Sequence, residues 1–245
     1  GVSARGTYAG VMEKIPYLKE LGITAVELMP VTEFDEIMMS SSGSSFHNAK
    51  QEPTGYVNYW GYGPSYLYAV KTAYASRETM SAEGEFKTLV KELHKAGIEC
   101  IPEMYFTGKE LPGEILSVLR YWVEEYHVDG FHLTGFPDLS LAAEDPFLKR
   151  TKLFAENWND VMNRRPKQGY VTPGDGTVSV EEKNLAEYNM QFMEDMRRFL
   201  KGDEGMLSAF EFRNRRNPAE YAVIDYMANT NGFTLMDTVS YDRKH

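Results

Sequence analysis

A single cysteine among 245 residues excludes an internal disulfide. That residue, Cys100, lies in the apolar run 98–101 with no histidine or basic neighbour, and reads as a buried strand thiol rather than a reactive one. No Lys/Arg-rich run occurs and the formal net charge is −10, so the basic face that nucleic-acid phosphates require is missing. No apolar run approaches the ~18 residues that span a bilayer. The opening GVSARGTYAG lacks the pattern of a secretory signal, so no membrane partner and a cytoplasmic location are expected. It also lacks an initiating Met, which suggests a piece of a longer polypeptide. There is no G-x-G-x-x-G to cradle a dinucleotide, no internal repeat, and no His/Cys/acid set at metal-ligand spacing. The expectation is therefore no cofactor and no metal.

What is present is an alternation of helical and strand patterns. Val11, Ile15, Leu18 and Leu21 predict one helix over 9–21, closed by Gly22. Residues 24–31 (TAVELMPV) read as an apolar strand. Phe86, Leu89, Val90 and Leu93 put one apolar face on a helix over 83–95, and 113–126 form a third helix. Strands are predicted at 98–105, 128–133, 151–158 and 221–227, with a further helix at 189–200. The polar stretches 35–57 and 162–183 read as long loops. Apolar strands separated by amphipathic helices imply a parallel sheet covered on both faces. Periodicity alone fits a doubly wound open sheet almost as well as a β/α barrel. The chain is expected to form a single, partial domain over residues 1–245.

Several segments in order are similar to glycoside hydrolase family 13, and most to its isoamylase and glycogen-debranching branch. They are GTYAGVMEKIPYLKELGITAVELMPV at 6–31, NYWGYGPSYLYAVKTAYAS at 58–76, VDGFHLTG at 128–135, TKLFAENW at 151–158, and MRRFLKGDEG with NGFTLMDTVSYDRKH near the end. The resemblance implies a (β/α)8 TIM-type barrel whose first and eighth strands lie outside this chain. It also implies an α-glucan substrate and hydrolysis of α-1,6 branch bonds. A closed barrel leaves no free edges, so either the rest is supplied elsewhere or the chain is an excerpt of a longer polypeptide with further domains.

Retaining glycosidases need two carboxyl groups about 5 Å apart. The family's fourth strand usually reads G-F-R-F-D, its Asp being the nucleophile. Here the run is Gly130-Phe131-His132-Leu133-Thr134, so Thr134 stands at the nucleophile position and His132 at the Arg position. A threonine hydroxyl is a weak nucleophile without a neighbouring base, and none is evident in the sequence. The fifth strand's A-E-P-W motif appears as Ala155-Glu156-Asn157-Trp158, which keeps the general-acid position as Glu156. The later A-H-D-G-F-T-L motif appears as Asn229-Thr230-Asn231-Gly232-Phe233-Thr234-Leu235, placing Thr230 at the His and Asn231 at the third acid. The third strand has lost its Asp, Asn and His. Glu103, placed one position from the lost Asp, is expected to point away from the barrel axis by strand alternation unless the register slips. Pro102 suggests a bulge, because proline cannot donate to the ladder.

Binding can outlast catalysis. Tyr62 ends Asn58-Tyr59-Trp60-Gly61-Tyr62, where the resemblance implies an aromatic face against a sugar ring. Trp60 reads rather as a packing residue. Trp158 could line the cleft or pack in the core, His132 reads as a hydrogen-bonded strand-end histidine, and His47 as solvated. Three readings follow: a non-catalytic relative holding α-glucan or serving a structural role, a working glucosidase using Glu156 with Glu103 or Asp138, and a protein-interaction module.

Overall fold

The computed structural model describes residues 1–42, 50–76, 81–158, 161, 184–218, 220–230 and 236–237. The chain divides into two compact units, Gly1–Thr151 and Lys152–His245. The predicted loop at 162–183 and His47 lie outside the described residues.

The first unit holds α1 (Tyr8–Met12), α2 (Ile15–Glu20), β1 (Ala25–Leu28), β2 (Thr32–Phe34), β3 (Ile37–Ser42), β4 (Lys50–Val57), β5 (Ser65–Val70), α3 (Ala82–Ala96), β6 (Glu99–Phe106), α4 (Pro112–Tyr126) and β7 (Gly130–Gly135). Strand β6 pairs in parallel with β1 on one side and β7 on the other. The helices follow from sequence. Ser81 caps α3 by accepting from the Gly84 amide, Glu83 and Glu85 sit in its positive first turn, and Gly97 closes it at φ 76°. Phe86, Leu89, Val90 and Leu93 are buried, as are Ile115, Val118, Leu119, Trp122 and Tyr126 on α4. Phe86 meets the rings of Trp122 and Tyr126 edge-on, so the two helices share one aromatic core.

Three local expectations are corrected. The single helix over 9–21 is two helices, because Pro16 stands in the first turn of α2. In an unbroken helix it would remove a hydrogen bond, whereas at a helix start the missing N–H costs nothing. The stretch 35–57, expected as a loop, contains the antiparallel pair β3–β4, which runs from Ile37↔Val57 to Ser42↔Lys50 with a register shift between Ile37 and Met39. Beside the backbone ladder, the Thr54 hydroxyl donates to the Met38 carbonyl at 2.8 Å. The bulge expected at Pro102 does not occur: pairing with β1 runs without a shift from Ala25↔Glu99 to Leu28↔Pro102. Cys100 is buried as expected, and burial together with the Asp129 charge pushes its thiol up to about 12.

The second unit contains β8 (Lys152–Ala155), β9 (Leu185–Tyr188), α5 (Met190–Lys201), α6 (Met206–Asn214) and β10 (Ala222–Ile224). Strand β9 is parallel to both β8 and β10. Asn189 caps α5 through its side-chain oxygen, and Gly202 ends it at φ 88°. Strand β9 and helix α6 were not foreseen. Among the described residues no helix is long and apolar enough to cross a membrane.

Candidate functional site

The register of β6 against β7 decides which side chains meet. Glu103 lies opposite His132, and Tyr105 opposite Thr134, so all four share one face of the sheet. Glu27 on β1 is opposite Ile101 and joins that face. The other face carries Cys100, Met104, Phe106 and Leu133, all buried. Glu103, expected to point away from the barrel axis unless the register slips, shares the face of Thr134 and His132.

Glu103 is only 4% exposed. Burial pushes its carboxyl above the ordinary glutamate range, opposed by the nearby His132 and by hydrogen bonds with Tyr62 and Thr134. The Glu27 charge adds a smaller push in the same upward direction. His132 Nδ1 lies 2.7 Å from Glu27 Oε1. Thr134 Oγ1 also donates weakly to the Met104 carbonyl at 3.4 Å. Glu103 is thus a hydrogen-bonding neighbour of the Thr134 hydroxyl, one the sequence did not reveal. The donor atoms of Glu27, Glu103 and His132 all lie within 4.8 Å of one another. Sequence spacing hid this set, because each residue comes from a different strand. Its one visible trace is Glu27, an acid inside the apolar run TAVELMPV.

Tyr62 reaches the same face from a turn that its sequence dictates. Asn58 Oδ1 accepts from the Gly61 amide at 3.0 Å, and Asn58 Nδ2 donates to the Tyr62 carbonyl at 2.9 Å. Gly61 has φ 77°, and a Cβ there would sit 2.7 Å from the Phe34 ring. The Tyr62 ring is 5.3 Å from that of Tyr105, tilted by 31°. Tyr62 is 40% exposed and Trp60 41%, so Trp60 does not take the packing role expected of it. Tyr59 is still more exposed and meets Trp60 edge-on. Asp138 accepts from the Ser140 amide at 3.1 Å.

In the second unit, Glu156 is exposed immediately after β8. Of the two roles open to Trp158, cleft or core, it takes the core: it is fully buried, and its indole N–H donates to the Ala186 carbonyl at 2.9 Å. Tyr188 meets Phe154 and Tyr226 edge-on at 6.2 and 5.6 Å. Burial raises the Tyr226 phenol, opposed by the Arg197 charge, and the Glu156 charge adds a smaller push upward. Neither Tyr188 nor Tyr226 had a sequence signal. Glu187 is paired with Arg216, and Asn189 with Asp225 at 2.8 Å. Thr230 is exposed, and Asn231 lies outside the described residues.

The family description "Alpha amylase, catalytic domain" matches residues 2–106. Isoamylase 3, chloroplastic, of Oryza sativa subsp. japonica is 32% identical over 99% of this chain and 38% of its own length. The Glycogen operon protein GlgX homolog of Haemophilus influenzae is 30% identical over 98% of this chain and 43% of its own length. The chain spans about two fifths of the length of the curated relatives it matches. Among solved structures, pullulanase type I from Bacillus subtilis str. 168 complexed with maltose superposes with a TM-score of 0.67 at 19% identity, covering 98% of this chain and 43% of that one. The Group B Streptococcus pullulanase SAP in complex with maltotetraose gives 0.65 at 18% identity, covering 96% and 38%. The fold is accordingly an α/β, (β/α)8-type barrel domain, incomplete within these 245 residues. The chain belongs to glycoside hydrolase family 13, the α-amylase superfamily, in its isoamylase and glycogen-debranching branch.

Proposed function

We propose that this chain is a non-hydrolytic member of its family that holds α-glucan, a pseudoenzyme module within a longer cytoplasmic polypeptide. The observation that carries the reading is Thr134 at the nucleophile position. Its hydroxyl is engaged with the Glu103 carboxyl and the Met104 carbonyl. A retaining mechanism needs a carboxylate that attacks the sugar carbon and a second one that protonates the leaving oxygen. Glu156 keeps the second position only, while Asn231 and Thr230 replace the third acid and its histidine neighbour. Losing several members of one catalytic unit leaves turnover lower by about 10⁴–10⁶, by analogy with protease triads. The exposed rings of Tyr59, Trp60 and Tyr62 support glucan binding, since the apolar faces of pyranose rings stack on aromatic side chains.

A second reading is an α-1,6-glucosidase in which Glu156 works with a non-standard carboxylate. Glu103 is its candidate, because it shares a face with Thr134. Two measurements separate the readings. Titration calorimetry with malto-oligosaccharides is expected to give saturable heat that Tyr62→Ala weakens about tenfold, the equivalent of ~1.4 kcal/mol. No heat at millimolar sugar would remove glucan binding and leave a protein-interaction module. Reducing-end release from a branched glucan is expected at background for the parent, Glu103→Gln and Glu156→Gln alike. Activity abolished by either substitution would establish the second reading.

A further inference from the structure

We infer that Glu27, Glu103 and His132 form a binding site for a divalent first-row transition ion, with Zn²⁺ as its natural probe. Three neighbouring parallel strands supply one donor each, and these donor atoms already lie within 4.8 Å of one another. Donors carried on strands are held more precisely than donors on loops. Glu103 is nearly fully buried and receives hydrogen bonds from Tyr62 and Thr134. Such outer contacts orient a ligating carboxylate and are a regular part of metal centres.

Charge and donor type narrow the ion. Two glutamates and one imidazole make a cluster that is negative whenever both acids are ionised, and buried charges are normally paired or metal-bound. A dication offsets that excess. One imidazole nitrogen with two carboxylate oxygens suits a borderline ion, whereas Mg²⁺ and Ca²⁺ favour all-oxygen sets. Cys100, the chain's sole thiol, lies on the opposite face of β6, so no soft sulfur ligand joins the set. Three protein donors leave a position for water. A tetrahedral ion with bonds of about 2.1 Å draws its donors to roughly 3.4 Å of each other, a contraction that side-chain rotation can supply.

The inference does not rest on glucan binding, and its test contains no sugar. Zn²⁺ is titrated calorimetrically into the full 245-residue chain, and Co²⁺ is added in parallel to read ligand-field absorption. One equivalent is expected to bind with micromolar affinity, at least tenfold weaker in Glu103→Gln and in His132→Gln. Mg²⁺ and Ca²⁺ are expected to give no signal at the same concentrations. Should either of these variants fail to fold by circular dichroism, Glu27→Gln decides, because the Glu27 side chain is 37% exposed and tolerates the change. Absence of Zn²⁺ binding to the parent overturns the inference. So does affinity unchanged in every folded variant, or equal binding of Ca²⁺.

Discussion

Replacing Trp158 with phenylalanine separates a packing role from a sugar-binding one. Trp158 is fully buried, and its indole N–H donates to the Ala186 carbonyl at 2.9 Å. Phenylalanine keeps most of the apolar area and removes the donor. A buried acceptor that loses its partner costs about 1–3 kcal/mol. The smaller ring leaves roughly 40 Å³ unfilled, worth ~1 kcal/mol at about 24 cal/mol per Å³. Together these predict a loss of about 2–4 kcal/mol. For a chain of this length each kcal/mol lowers Tm by about 2–4 °C, so calorimetry should find a drop of roughly 4–16 °C. Urea unfolding monitored by circular dichroism gives the same quantity with an unchanged m-value. Glucan affinity per folded molecule is expected to stay constant. Unchanged stability combined with weakened sugar binding would refute the assignment of Trp158 to the core.

Gly135→Ala should destabilise the end of β7 by more than about 2 kcal/mol in denaturant unfolding, because the site needs positive φ and leaves no room for a methyl group. Gly135 has φ 82°, and a Cβ there would stand 2.1 Å from the Phe106 carbonyl oxygen; a variant of parental stability would show that β6 and β7 are not packed as described. Asp145 is held below the usual aspartate range mainly by hydrogen bonds from Arg120, whose Nε donates at 3.2 Å. A depressed acid stabilises the fold above its unfolded value, here 3.8, and that contribution is lost as pH falls through the lower folded value. Arg120→Gln should therefore lower stability at pH 7, and its difference from the parent should shrink on acidification below about pH 4. A difference that persists undiminished in acid would show that Arg120 acts through packing alone.

The amphipathic helices were legible because their apolar residues recur at helical spacing and their ends carry recognisable signals. Ser81 and Gly97 delimit α3, and Pro112 starts α4. The pair β3–β4 was not legible, since neither IMMSSS nor KQEPTGYV carries a hydrophobic period of two. Strand β9 was missed for a related reason: Leu185–Tyr188 is four residues long, too short for periodicity to identify. Trp158 was ambiguous because a tryptophan at a strand end fits both a cleft and a core until its surroundings are known.

The amino-acid sequence alone determined that Thr134, where the family resemblance implies an aspartate, carries a hydroxyl, and no folding event can turn that into a carboxylate. It determined equally the strand–helix alternation, since that order follows from local periodicity. Only the tertiary structure decided where Glu103 points, because moving a strand by one residue exchanges its two faces. It alone brought Glu27, Glu103 and His132 together, since parallel strands joined by long crossovers place side by side residues that are far apart along the chain.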